Sequence, residues 1–106
     1  MGNNDSVALT EAVYYILLAL YEPMHGYGIM QKIEELSSGR VKLAAGTLYG
    51  AINTMLDKDW IQALPETSSS RKKEYIITER GKQVAASELI RLQELVLNGE
   101  GIIGGE

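Results

Sequence analysis

Three consecutive cations, Arg71, Lys72 and Lys73, are the side chains in this sequence best suited to a specific chemistry, the binding of phosphate. They follow three serines in the stretch SSSRKKEYIITERG. Ammonium and guanidinium groups neutralise phosphate oxygens, and a flexible polar tip lets such groups adapt to a phosphate backbone. The alternative interpretation is a solvated charged loop, because runs of like charge usually face water.

The distribution of charge along the chain favours the first interpretation. The 106 residues carry a net charge of −4, which argues against binding nucleic acid by bulk electrostatics alone. Residues 40–73, however, hold six cations and three acids, a net charge of +3, whereas residues 1–39 sum to −4 and residues 74–106 to −3. The middle third is therefore the only basic part of the chain.

A second group of polar residues lies in the segment GTLYGAINTMLDKDW, which has helical periodicity. Leu48, Ile52 and Met55 fall on one face of this helix, together with Leu56. The opposite face and its borders carry small, hydroxyl and amide residues, namely Gly46, Thr47, Tyr49, Gly50, Asn53, Thr54 and Asp57. Asn can bond adenine bidentately, Tyr can donate to a phosphate or a base edge, and a Thr methyl can pack on thymine. Because a mid-helix glycine costs about 1 kcal/mol relative to alanine, we expect Gly50 to serve a close approach of the backbone.

Other chemistries find little support in the residue inventory. The chain has no cysteine and one histidine, so a catalytic triad or a zinc site has almost nothing to build from, and we expect no enzyme activity, cofactor or metal. The stretch GEGIIG matches a dinucleotide-binding pattern, but it follows a helix instead of a strand. The longest apolar run is ten residues and the N-terminus lacks cations, so we expect a cytoplasmic protein without a membrane span.

The elements that would position these residues follow a recognisable order. Thr10 caps a first helix that Pro23 ends, HGYGIMQKIEELSSG forms a second helix, and the polar-faced segment forms the third. WIQAL and KEYIIT then predict a β-hairpin, and Thr78 caps a last helix. Three helices and a hairpin predict a mainly α fold, a winged helix-turn-helix with a C-terminal helix. In that fold the third helix enters the major groove of DNA, and the hairpin, or wing, meets phosphates.

The last helix carries an apolar seam that predicts a homodimer. Its members step by four, three and four residues, and the predicted interface residues are Ala85, Leu89, Leu92, Leu95 and Val96. The predicted DNA-binding residues are Lys42, Gly46, Thr47, Tyr49, Gly50, Asn53, Thr54, Arg71, Lys72 and Lys73. The predicted organisation is a flexible N-terminus at 1–8, the winged helix-turn-helix at 9–78, the dimerisation helix at 79–98 and a disordered tail at 99–106.

Four segments resemble the PadR-like transcriptional regulators: LLAL with HGYGIMQKI, then AGTLYGAINTMLDKDWI, then RKKEYIITERGK. The resemblance runs from about residue 9 to 97 and implies a winged-helix dimer that represses transcription by binding an inverted repeat. The single C-terminal helix resembles the compact branch of the family. Two departures stand out: Ala44 and Ala45 occupy the third-helix start, where the family often has Ser, and Leu92 stands where the multidrug-binding branch has Trp.

The leading hypothesis is thus a sequence-specific DNA-binding repressor that acts as a homodimer on double-stranded DNA, with a small-molecule inducer left open as a further partner. The alternative is a winged-helix module that binds another protein and not DNA, which Asp57, Asp59 and the acidic total favour slightly.

Overall fold

Two helices begin where the sequence places a hydroxyl cap. A computed structural model describes residues 8–66 and 72–104, and in it α1 (Glu11–Ala19) starts at Thr10, whose hydroxyl oxygen accepts a hydrogen bond from the Val13 N–H at 3.1 Å. The last helix, which follows Thr78, is capped in the same way. Such caps satisfy backbone donors that a helix start otherwise leaves unpaired.

The second helix, α2 (Gly26–Leu36), is capped by the imidazole of His25, whose Nδ1 accepts a hydrogen bond from the Gly28 N–H at 3.2 Å. A short strand that the sequence did not predict, β1 (Met24–His25), precedes it directly. The third helix, α3 (Ala45–Asp57), starts at Ala44 without a side-chain cap, as the alanine there predicts.

The wing belongs to a sheet of three strands, where the sequence predicted a hairpin of two. Strands β2 (Ile61–Ala63) and β3 (Glu74–Ile77) pair antiparallel, and β1 adds to the free edge of β3 to give the order β1-β3-β2. Met24 lies opposite Tyr75 in this register. The pairing ties the start of α2 to the second strand of the wing.

The fourth helix, α4 (Glu79–Gly99), follows β3 at a close joint. The Thr78 hydroxyl donates to the Asp59 carbonyl at 2.7 Å, and its oxygen accepts from the Gly81 N–H at 3.0 Å. A Cβ at Gly81 would overlap the Trp60 carbonyl oxygen, so only glycine allows α4 to lie this close to the base of the wing. Trp60 itself is half-buried against the core, and the Lys58 ammonium lies 5.5 Å from its ring centre.

Helix α4 does not end in a disordered segment at Gly99, although the sequence predicted a disordered tail at 99–106. A π-helical turn, Glu100–Gly104, continues it, and Ile102 and Ile103 in that turn are exposed. The predicted flexible N-terminus lies outside the described residues except for Ala8, and so do Arg71 and the last two residues of the predicted tail.

The core lies between α1, α2, α3, the sheet and the first half of α4. Its fully buried members include the predicted inward face of α3, and the largest of them are Ile16, Leu17, Leu20, Ile29, Ile33, Leu48, Ile52, Met55, Ile61 and Val84. Ala85 also belongs to this core, with 3% of its surface exposed. Its assignment to the dimer interface is therefore wrong, because α1 and strand β3 of the same chain already pack on that part of α4. No helix in the described ranges is both long and apolar enough to cross a bilayer.

Candidate nucleic-acid interface

The outward face of α3 presents the polar surface that its sequence predicts. Leu48, Ile52 and Met55 hold the helix on the core. The predicted DNA-binding residues of α3 are all exposed: Gly46, Thr47, Tyr49, Gly50, Asn53 and Thr54. The first acidic residue of the helix is Asp57, at its last position. Three turns of helix thus offer hydroxyl, amide and backbone groups without a negative charge to repel phosphate.

Gly50 makes the middle of this face shallow. A Cβ built there would meet no atom of the described residues within 4 Å, so packing among them does not require the glycine. Its carbonyl oxygen accepts a hydrogen bond from the Thr54 hydroxyl at 3.2 Å, which leaves the Thr54 methyl and oxygen lone pairs for an external contact.

Tyr49 links α3 to the start of α2. Its hydroxyl end lies directly beside Gly26, where any Cβ would overlap the phenol ring and its oxygen. Gly26 is buried, whereas 43% of Tyr49 is exposed. The tyrosine therefore packs through one edge and keeps a large part of its surface open to a ligand.

The wing cations lie beside the same tyrosine. Lys72 and Lys73 are exposed and come just before β3, and they line a groove of about 280 Å³ together with Tyr49 and Tyr75. The rest of the groove is the start of α2, at His25, Gly26 and Tyr27. The structure thus brings two of the predicted wing residues together with Tyr49 of the third helix, and Arg71 precedes them outside the described residues.

Lys42 stands apart from that groove. It is exposed before α3, and its ammonium nitrogen lies 3.8 Å from a carboxylate oxygen of Glu34 on α2. Such an exposed pair contributes at most about 1 kcal/mol. Lys42 can therefore exchange this partner for a phosphate at small cost.

The remaining predicted residues lie on α4. Leu89, Leu95 and Val96 are 47%, 52% and 56% exposed, and Leu92 is half-buried beside α1. Four further apolar side chains of α4 and the π-helical turn are exposed, and they were not among the predicted interface residues: Ile90, Leu97, Ile102 and Ile103. Most of the large apolar side chains that are exposed among the described residues therefore lie on α4 and on the turn that follows it.

The comparisons with known proteins agree with this geometry. A family model described as "Transcriptional regulator PadR-like family" matches residues 15–87, which span α1 to the first half of α4 and so contain the whole candidate interface. This chain belongs to the PadR-like family. It is therefore a transcriptional regulator of a DNA-binding class, and its three helices and sheet form the winged helix of that family.

Solved structures show the same PadR-like fold. A transcriptional regulator from Clostridium thermocellum superposes with a TM-score of 0.74 at 16% identity, over 87% of this chain and 88% of that one. A PadR family transcription regulator from hypervirulent Clostridium difficile R20291 gives a TM-score of 0.68 at 25% identity, over 88% of this chain and 95% of that one. A 37.1 kDa protein in a transposon of Streptomyces fradiae is 33% identical over 89 residues, and this chain spans 23% of its length.

An ion pair within α4 of this PadR-like chain has its carboxylate buried beside the N-terminal segment. Glu88 is 3% exposed, and its carboxylate accepts hydrogen bonds from Arg91 Nε at 2.9 Å and Nη2 at 2.6 Å. The Arg91 hydrogen bonds lower the pKa of Glu88, burial opposes them, and the backbone of Leu9 lowers it further. The i, i+3 spacing of opposite charges was the only feature of the sequence that could have indicated this pair.

Within the described residues, no three side chains of the metal-binding types cluster closely enough to hold an ion. The groups collected at the interface are donors of hydrogen bonds and positive charge. That inventory is suited to binding an anion.

Proposed function

We propose that this PadR-like protein is a homodimeric repressor that binds an inverted-repeat operator in double-stranded DNA. In this proposal α3 enters the major groove N-terminus first, and the wing residues Lys72 and Lys73, with Arg71, contact phosphates. The observation that carries it is the common groove that Tyr49 of α3 shares with the two wing lysines. Base-reading and phosphate-binding groups can then engage one stretch of duplex at the same time.

The polar face of α3 supports the assignment of base reading. Asn53 is exposed about two turns from the helix start, and its amide can bond the N6 and N7 edge of adenine. Thr47 lies nearly two turns earlier, in the first turn, and can pack its methyl on thymine. Asp57, at the far end, would meet phosphate repulsion if α3 lay flat in the groove, which favours entry by the tip.

The apolar face of α4 supports a second copy of the chain as partner. At 100° per residue, Leu92 and Val96 follow Ala85 on one stripe of the helix. Ala85 is covered by the chain's own core, but α4 extends beyond α1, and the stripe continues into exposed residues up to Ile103. Two such stripes packed against each other would bury both, and a two-fold axis would present two α3 helices to the two half-sites.

Selection from a random-sequence duplex pool, followed by sequencing, tests the function directly. We expect an enriched inverted repeat whose half-site centres lie about 34 Å apart, one helical turn of DNA. Affinity for the enriched duplex should fall steeply with salt, because phosphate contacts release counterions.

Two substitutions localise the reading surface. Asn53→Ala should cost about 1–3 kcal/mol and relax the base preference at one position of each half-site. Gly50→Leu should obstruct docking while the fold remains stable, because no atom of the described residues lies within 4 Å of a Cβ at this position and leucine is the better helix former. Undiminished binding by Gly50→Leu would show that α3 does not read the DNA.

The protein-interaction module remains the alternative outcome of the same experiment. It would be supported by a chain that enriches no sequence and retains no duplex even at low salt. The exposed acids Asp57 and Asp59 at the end of α3 would then be candidates for contacts with a basic protein partner.

A further inference from the structure

Gly26 lies buried at the first position of α2, directly against the phenol of Tyr49 on α3. Beyond its chain neighbours, the three atoms nearest to a Cβ built there all belong to that phenol, and the hydroxyl oxygen and ring carbon Cζ would overlap it. Among the described residues Gly39 is the only glycine with a positive φ, so the backbone at position 26 accepts a side chain. We propose that Gly26 is a specificity-determining residue of the DNA interface, because the space that it leaves fixes where Tyr49 stands on the recognition helix.

The wing confines the same ring on another side. Tyr75 of β3 is 8% exposed and lines the groove together with Tyr49. Burial raises the pKa of Tyr75 and Tyr49 raises it further, which agrees with two phenols close together. The pairing of β1 with β3 sets Met24 opposite Tyr75, and β1 leads directly into Gly26. The start of α2 and the second wing strand are thus two fixed walls around one aromatic ring of α3.

The position of this ring decides what the middle of α3 offers to DNA. Gly46 and Asn53, three residues before and four residues after Tyr49, are its neighbours on the surface of the helix. Both are exposed while the phenol leans on α2. Released from α2, the phenol would be free to cover either of them and to occupy the space that a base pair must enter.

Gly26→Ala tests this inference, which rests on the proposed function. Atoms at the end of a half-exposed side chain can turn away from the new methyl, so we expect the domain to stay folded. Affinity for the enriched duplex should fall about tenfold, because the released ring stands in front of α3 and must be ordered again on binding. Affinity for a random duplex and its dependence on salt should stay unchanged, because no charge is removed.

A double-mutant cycle with Tyr49→Ala separates this effect from a general disturbance of α2. With the phenol removed, a Cβ at position 26 meets no atom of another element closer than 3.3 Å. Gly26→Ala should therefore change neither affinity when it is added to Tyr49→Ala. Equal losses from Gly26→Ala in both backgrounds would overturn the inference, since the effect would then not pass through Tyr49.

Gly28→Ala is the matched control on the same helix. It makes the same chemical change, but its Cβ would meet the flexible side chain of Met24 and not Tyr49. This variant should keep the parent's affinity for both duplexes. A loss of specificity equal to that of Gly26→Ala would overturn the inference, because any methyl at the start of α2 would then have the same effect.

The packing of the ring can also be measured without DNA. Nuclear Overhauser contacts between the Tyr49 ring protons and the Gly26 α protons should be present in the parent and in Gly28→Ala, and their absence from the parent would overturn the inference. The melting temperature of Gly26→Ala should stay within a few degrees of the parent's. If it falls further, adding Tyr49→Ala should restore it, and a double variant that stays equally unstable overturns the inference because another contact would then require the glycine.

The measurements distinguish this inference from the proposed function. If the parent enriches no duplex, the proposed function fails and the inference fails with it. If the parent enriches a duplex that Gly26→Ala binds as tightly and as selectively, the inference alone is overturned. A loss of the same size for the enriched and the random duplex also overturns it, since position 26 would then affect general affinity and not specificity.

Discussion

The joint between the wing and α4 allows one prediction to be worked out in detail. Gly81→Ala would place a Cβ on top of the Trp60 carbonyl oxygen, 2.7 Å from Ile77 Cγ1 and 3.0 Å from the Trp60 carbonyl carbon. Two of these three atoms are backbone and cannot rotate away. The start of α4 or strand β2 must therefore shift, and the hydrogen bond from Gly81 N–H to the Thr78 hydroxyl shifts with it.

The net cost follows from two opposing effects. Forcing extra volume into a packed site costs up to about 3 kcal/mol, and we take the upper value because backbone must move. Alanine regains about 1 kcal/mol over glycine through helix propensity. The expected loss in the free energy of unfolding is thus about 2 kcal/mol, which lowers the melting temperature of a domain of this size by roughly 8–16 °C.

Gly50→Ala is the matched control, since it makes the same chemical change inside a helix where no atom lies within 4 Å of the new Cβ. It should raise stability by up to about 1 kcal/mol. Both variants are compared with the parent by thermal and urea unfolding at equal protein concentration, because association contributes to apparent stability. If the two substitutions changed the free energy of unfolding equally, in either direction, the Trp60 carbonyl would not be the obstacle to a side chain at position 81.

Three further predictions concern the dimer, the wing and the buried ion pair. Leu95→Glu should yield monomers in sedimentation velocity and weaken operator binding, because it places a charge in the apolar face of α4. A variant that stayed fully dimeric would place the interface elsewhere. Replacing Lys72 and Lys73 by Ala should weaken binding to operator and random duplex alike. The slope of log binding constant against log salt concentration should fall by up to about 0.9 per lost phosphate contact. A loss of affinity confined to one base pair would mean that the wing reads sequence. Arg91 lowers the pKa of Glu88 below 4.5, so the stability from this pair is complete above that pH and is lost as pH falls through the lowered value. Glu88→Gln should therefore cost about 1–3 kcal/mol at pH 7 and less at pH 3. Glu11→Gln, in an exposed pair, should change stability much less at either pH. Equal costs of Glu88→Gln at both pH values would contradict the assignment.

The sequence predicted the parts of this fold that depend on local signals. Thr10 and Thr78 cap their helices as expected, and the periodicity of Leu48, Ile52 and Met55 identified the buried face of α3. Each of these features is decided within one or two turns of a helix, where hydrogen bonding and side-chain direction leave few alternatives.

The features that the sequence missed depend on contacts between distant segments. Strand β1 has two residues, too few for a period, and it exists because β3 pairs with it. Ala85 lies on the predicted seam and is buried in the core. The periodicity of apolar residues along a helix cannot show which of them pack on the chain's own core and which remain for a partner. The groove escaped notice for the same reason, since Tyr75 and Gly26 come together only through the sheet.

The position of the only tryptophan gives this protein a built-in optical reporter. Trp60 is half-buried between the end of α3 and the base of the wing, and its carbonyl oxygen accepts a hydrogen bond from the Thr78 N–H at 2.9 Å. Indole emission from the chain therefore arises at a single place, the point where the recognition helix, the wing and α4 meet. A change in its wavelength on adding duplex would report movement at that joint without any label.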